Sequence, residues 1–140
     1  MWLYNGKEWT PPENFSKDDY YGFVYLITNE KTGQKYVGKK FFWFTKTLGI
    51  TKTRKRRKKT FVESDWREYF GSSNLLNEDI NQSGIDYFKR EILHFCKTKG
   101  ECAYMEAKEQ FDRDVLLTDE YYNGFIGCKI GAPSVKNLKK

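Results

Sequence analysis

Residues 21 to 40 read YGFVYLITNEKTGQKYVGKK, and this stretch restricts the fold more than any other. Residues 21 to 28 alternate small or aliphatic with aromatic side chains and are rich in Val, Ile, Phe and Tyr, as are residues 35 to 38, so both runs are strands joined by a turn. A four-residue loop, EKTG, sets Asn29 opposite Gln34, Tyr25 opposite Gly38 and Tyr36 opposite Ile27. Tyr25 and Tyr36 then share one sheet face as diagonal neighbours, whereas an odd-length loop would part them. Gly38 carries no side chain, which leaves backbone room beside Tyr25 for a ligand. Two tyrosines on a hairpin also suit a packed core, and the pattern alone leaves both readings open.

The remaining segments supply too little for a second domain. WLYNGKEW reads as a hairpin turning at Asn5-Gly6, a flap over the core carrying Trp2 and Trp9, and TPPENFSKDD as a polar connector. SDWREYF reads as a short helix capped by Ser64, with Trp66, Tyr69 and Phe70 on one face. SSNLLNEDINQSG reads as a helix with Leu76 and Ile80 inward and Gly84 at its end. YFKREILHF, short and β-rich, is expected as a third strand. GECAYMEAKEQFDRDVLL is expected as a helix whose inner face repeats through Tyr104, Ala107, Phe111 and Val115. The division is a 1–20 extension, a 21–126 domain interrupted by a basic insertion at 45–60, and a 127–140 tail.

Charge is local. Of 25 Lys and Arg, seven fall between Lys52 and Lys59, which leaves 18 against 19 acidic residues elsewhere. Lys52, Arg54, Lys55, Arg56, Arg57, Lys58 and Lys59 suit sequence-independent contact with phosphates, although a solvated loop has the same composition. No apolar run approaches a membrane span and no basic-then-apolar leader opens the chain, so a soluble, intracellular protein with no membrane partner is expected. Cys96, Cys102 and Cys128 are odd in number and lack a CxxC pair, against a disulfide framework or zinc ribbon.

GFVY, followed eleven residues after its tyrosine by YVG, resembles the signature of the GIY-YIG nuclease superfamily. Tyr69 falls where that family carries a His or Tyr, Glu106 where it carries its metal-binding glutamate, and Asn123 where an asparagine closes the domain. YVGKK, the basic insertion, SDWREYFGSS, EAKEQ and YYN together are most similar to the phage seg-type homing endonucleases. The resemblance implies an α+β fold with a three-stranded antiparallel sheet flanked by helices, here with an N-terminal hairpin extension. It also implies hydrolysis of double-stranded DNA with Mg²⁺ or Mn²⁺ held by Glu106, and a cytoplasmic location in a bacterial host if a phage encodes the chain.

The chemistry of the residues fits such a reaction. Tyr25 and Tyr36 would activate water and position phosphate, with Lys39 and Lys40 beside them favouring the phenolate. Glu106 would be one carboxylate to a cation that keeps several waters. Asn123 would brace the site through hydrogen bonds, and Tyr69 would complete it. One position departs from the family, where an arginine neutralising the scissile phosphate stands four residues before the His or Tyr. Here that position is Asp65, so the charge falls to Lys39, Lys40, Arg67 or the insertion. The same departure keeps a disabled DNA-binding module open. An RNA-binding protein stacking bases on Phe41, Phe42, Trp43 and Phe44 is the other alternative, although four consecutive aromatics cannot share one strand face, and two are expected to be buried. The sequence leaves oligomeric state undetermined.

Overall fold

The computed structural model describes residues 1–52, 56 and 58–140. Arg54, Lys55 and Arg57 of the basic run lie outside the described residues. The anticipated hairpin forms β3 (Gly22–Asn29) and β4 (Lys35–Phe41), with Tyr25 paired to Gly38 and Ile27 to Tyr36. The loop is closed by Asn29 N–H donating to Gln34 O at 2.8 Å. The third strand, β7 (Phe88–Cys96), runs antiparallel to β3 on its other side.

The sheet is larger than expected and mixed. The N-terminal hairpin, β1 (Trp2–Tyr4) and β2 (Lys7–Glu8), turns at Asn5 and Gly6, both at positive φ, and adds to β7, with β1 parallel to it. Five strands result, in the order β2-β1-β7-β3-β4, where three antiparallel strands were anticipated. Trp2 is sunk in the core, and its indole N–H donates to Trp66 O at 2.9 Å. A hydrophobic anchor and a ladder of parallel bonds together make the extension part of the sheet rather than a flap.

Both faces of β3 are covered, so nearly all its residues are buried. Phe23, Tyr25 and Ile27 pack with Trp2, Phe42 and Trp66 and with Leu76 and Ile80 of α1 (Asn74–Ser83). Ser73 caps α1 by accepting from Leu76 N–H, and Gly84 ends it at φ 90°. Val24 and Leu26 pack on the opposite face with Val37, Cys96, Cys102 and Val115, beneath α2 (Lys99–Asp112). Thr98 caps α2 by accepting from Glu101 N–H at 3.1 Å, while the Glu101 carboxylate accepts from Lys97 N–H at 2.7 Å.

The inner face of α2 differs from the apolar repeat. Tyr104 and Phe111 are exposed, and the helix turns Cys102, Ala107 and Gln110 inward with Glu106 mostly covered. Ala107 and Val115 are buried as anticipated. The repeat misleads because part of the inward face is polar and works on β4.

SDWREYF forms only a single 3₁₀ turn, Trp66–Glu68. Ser64 Oγ still receives Trp66 N–H at 3.2 Å, and Trp66, Tyr69 and Phe70 do pack against one cluster. The described parts of the insertion are not a solvated loop but pair in a two-stranded ribbon of β5 (Trp43–Leu48) and β6 (Lys58–Glu63). Phe42 at its root is fully buried, Phe41 and Trp43 are half-buried, and Phe44 is exposed. Burial of one aromatic, not two, follows from a bend at Phe42 that drives this ring alone into the core.

Candidate active site

The strand alternation places Tyr36, Gly38 and Lys40 on one face of β4, and Val37 and Lys39 on the other. Because β4 ends the sheet, a cleft of about 570 Å³ wraps around its outer edge and reaches both faces. Tyr36, Lys39, Ser72, Glu106, Gln110 and Asn123 are among its lining residues. The site is therefore an edge, not a face. That is why Lys39, expected to point away from the tyrosines, reaches the same cleft as Tyr36.

Tyr25 sits one layer deeper, 1% exposed. Its ring centroid lies 6.2 Å from that of Tyr36 and 6.0 Å from that of Tyr69, which it meets edge to face. Gly38 has a different use from the one anticipated. A Cβ there would lie 2.6 Å from Cζ of Tyr25, so the glycine makes room for the tyrosine ring itself rather than for a ligand. Opposite the step from Val24 to Tyr25 the β7 register shifts, a bulge that re-aims side chains at this point. Gly71, at φ 86°, lays backbone against both tyrosines, with its Cβ position 3.5 Å from Tyr25 Oη and from Tyr36 Cδ2.

Both phenols titrate above their ordinary value. Burial is the main cause for Tyr25, reinforced by the neighbouring Tyr69 and Tyr36. Burial also dominates for Tyr36, partly offset by the hydrogen bond between its hydroxyl and Ser72 Oγ at 3.3 Å. The lysines do not produce the phenolate expected of them, since each is engaged elsewhere. Lys39 Nζ is 3.5 Å from Glu106 Oε1, and Lys40 Nζ is 2.6 Å from Asp65 Oδ1 and 4.1 Å from the centre of the Tyr69 ring. Glu106, 16% exposed at its side chain, has its carboxyl raised by desolvation that Lys39 only partly counters. Arg67 is not brought to the cleft. It pairs with Glu63 at 2.9 Å and lies over the Trp66 ring.

Asn123 stands in for a sixth strand. Its Oδ1 accepts from Val37 N–H at 3.0 Å and its Nδ2 donates to Val37 O at 2.8 Å, while Gln110 Nε2 reaches the same carbonyl at 3.1 Å. One residue earlier, Tyr122 receives the Asn29 amide at 3.0 Å and donates to Asp79 at 2.7 Å, which ties the hairpin turn to α1. Replacing Asn123 by Ala is expected to cost about 1–3 kcal/mol, the penalty for leaving the Val37 N–H without its partner while the carbonyl keeps Gln110. Urea melts check this, and an unchanged midpoint would remove Asn123 from the brace.

Sequence reasoning missed Ser72, Gly71, Gln110 and Arg90. Arg90 is 5% exposed, its Nη1 donates to Arg67 O at 3.0 Å and Tyr69 O at 2.8 Å, and its guanidinium lies 4.6 Å from the Trp2 ring and 4.1 Å from the Phe70 ring. Burial lowers its pKa to about 10, still protonated at neutral pH, so a charged clamp holds the chain that carries Tyr69. A charged residue on an otherwise strand-like run was the available signal.

One side of the cleft thus offers the Tyr36 phenol, backed by buried Tyr25, and the other a carboxylate and an ammonium, on a frame closed by an asparagine. The chain matches, over residues 2–126, the model of the family described as "Putative endonuclease segE, GIY-YIG domain". It belongs to this GIY-YIG endonuclease family. The "Putative endonuclease segE" of Enterobacteria phage T4 is 30% identical over 104 residues, which is 74% of this chain and 40% of the phage protein. The chain thus spans well under half the length of that curated relative. No solved structure matches it. Among the described residues, no helix is long and apolar enough to cross a membrane.

Proposed function

We propose that this GIY-YIG chain is a divalent-metal-dependent endonuclease of homing type that hydrolyses phosphodiesters of double-stranded DNA in the cytoplasm of a bacterial host. The observation that carries the reading is the cleft at the free edge of β4, where Tyr36, Lys39, Glu106 and Asn123 converge from three separate parts of the chain. Among the described residues, no three His, Cys, Asp or Glu side chains group together. The donor set nevertheless suits Mg²⁺ or Mn²⁺, which keeps several waters and takes oxygens from a phosphate. Glu106, whose negative charge is undercompensated by Lys39, would hold it. A bound divalent cation supplies positive charge to the phosphate oxygens and lowers the pKa of water.

The chain's own groups do the rest. Tyr36, at the cleft wall, orients the attacking water through its neutral phenol oxygen, with its hydroxyl held by Ser72 at 3.3 Å, and the proton that the water loses passes to solvent. Half-buried Tyr69 offers its hydroxyl to the phosphate oxygens, and Tyr25, buried behind the wall and packed edge to face on Tyr69, keeps it rigid. Lys39, in the cleft 3.5 Å from Glu106, would provide at the phosphate the compact charge that the missing family arginine would have provided. Lys40 supports Tyr69 from above its ring. The exposed Lys52, Arg56, Lys58 and Lys59, together with Arg54, Lys55 and Arg57, gather duplex DNA through its phosphates. Arg67 contributes at most to that distant field.

The test is conversion of supercoiled plasmid to nicked or linear product. Cleavage is expected with Mg²⁺ or Mn²⁺ and none with chelator. One observation favours a second reading, a DNA-binding module without cleavage. Asp65 occupies the family's arginine position, is exposed, and already neutralises Lys40. Plasmid that is bound but intact under every divalent cation would select that reading. Phe42 is buried and the Trp43 indole N–H is spent on Tyr20 O at 3.1 Å, so the four-ring stacking platform of an RNA reader is not assembled.

A further inference from the structure

The two faces of the β5–β6 ribbon have different fates. The register sets Trp43, Thr45 and Thr47 opposite Glu63, Phe61 and Lys59, and Phe44, Lys46 and Leu48 opposite Val62, Thr60 and Lys58. The first face is docked at its root. Trp43 stacks on Phe15, Thr45 Oγ1 is 3.4 Å from the Tyr21 hydroxyl, and Phe61 is contacted by the Tyr21 ring and by Lys17 Nζ at 4.9 Å. The second face is open, with Phe44 47% and Val62 44% exposed as a directly opposed apolar pair. Leaving that pair in water forgoes burial that the docked face achieves. Lys40 Nζ lies 5.1 Å from the Phe44 ring and 4.1 Å from the Tyr69 ring, so the open face continues into the wall of the tyrosine site.

We propose that this open face, centred on Phe44, Val62, Thr60, Lys46 and Lys58, enters the major groove of duplex DNA beside the cleft and selects where the chain cuts. The inference rests on the nuclease reading above and extends it to specificity. Charge decides the occupant. Residues 46–59 carry eight Lys and Arg and no Asp or Glu, which repels a second copy of the same ribbon and attracts a polyanion. Width decides the groove, since two strands about 4.8 Å apart with their side chains fit a groove about 12 Å wide but not one about 6 Å wide. Six paired residues reach roughly 20 Å, about six base steps. In that groove an aromatic and a β-branched side chain meet thymine methyl groups, Thr60 offers a hydroxyl to base edges, and the lysines flank them toward phosphate.

Phe44→Thr with Val62→Thr places residues that favour strands at both exposed positions and tests the proposal. Two measurements are paired. The first maps cut positions on a long duplex, made once with thymine and once with uracil, which lacks the methyl. The second maps protection of guanine N7, a major-groove atom, from methylation by dimethyl sulfate. The parent is expected to prefer certain sites in thymine DNA, to lose about tenfold in discrimination on uracil DNA, and to protect guanines beside the cut. The double variant is expected to spread its cuts equally on both DNAs and to lose that protection. Identical cut maps and identical protection for parent and variant overturn the ribbon inference while the nuclease reading stands. A parent that protects but never cuts, with protection lost in the variant, retires the nuclease reading and keeps the ribbon. A parent dimer that the variant dissolves, seen by sedimentation without DNA, makes a second copy the occupant and overturns the proposal.

Discussion

Glu106→Gln is expected to lower the cleavage rate by a factor on the order of 10³, and to do so without weakening the fold or the grip on DNA. The reasoning is electrostatic. Burial raises the Glu106 carboxyl above its ordinary value despite Lys39 at 3.5 Å, so at neutral pH the folded protein keeps an anion where a neutral group would be more comfortable. A folded value above the unfolded one means that ionisation of Glu106 costs stability at neutral pH, and that this cost is relieved as pH falls through the raised value. Gln removes the cost, so the variant should melt no lower than the parent at pH 7, with any advantage vanishing in acid. Duplex affinity should be equal or tighter, because a carboxylate beside a polyanion is gone. Cleavage by the parent should fail on the acid side, because a protonated Glu106 would no longer hold a cation. Plasmid cleavage, melting curves at two pH values and fluorescence anisotropy read these outcomes. Full cleavage by Glu106→Gln would leave Glu106 as an ordinary helix residue.

Tyr25→Phe and Tyr36→Phe should each slow single-turnover cleavage on the order of 10²-fold, the loss expected when groups that position the reactants are misplaced. Their stabilities should part company. Tyr36 loses only a 3.3 Å contact with Ser72 at the cleft wall, so its melt should match the parent's. Tyr25 is buried, so removing its hydroxyl from the core should cost about 1 kcal/mol. Tyr25 belongs to the core and to the site together, and a lower melt for this variant does not argue against its function. Because both phenols are held above their ordinary value, the parent should show no loss of activity on the alkaline side until pH passes that value. Rates that match the parent for both variants would make the pair structural only.

The hairpin register was legible in the sequence because strand alternation and a four-residue loop leave no freedom, and the structure pairs Tyr25 with Gly38 as that arithmetic requires. Helix α1 was legible for the same kind of reason, since Ser73 and Gly84 terminate it through contacts confined to neighbouring residues. Other features failed where local and distant demands diverge. The apolar repeat of α2 named Tyr104 and Phe111 as inward, yet the helix turns Gln110 and Glu106 toward β4, where one donates to Val37 O and the other meets Lys39. The short helix after the insertion shrank to one turn because its three aromatics satisfy the core without further winding.

What the sequence determined by itself is the set of chemical parts and the spacing that makes them one hairpin and one family: two tyrosines in register, a lysine pair, a glutamate on a capped helix, a late asparagine. What only the tertiary structure decided is that these parts meet around an edge. Strand period sends Lys39 and Tyr36 to opposite faces, and no local rule reunites them. They share a cleft because β4 is the last strand of a sheet extended at its other end by the N-terminal hairpin, and because the chain at 120–122 pairs with its edge by backbone only at Lys35, after which Asn123, arriving 86 residues after Val37, satisfies Val37 with a side chain. A backbone partner continuing past Lys35 would have covered β4 and closed the cleft. An amide fulfils the two hydrogen bonds and leaves the rest of the edge open to a phosphate.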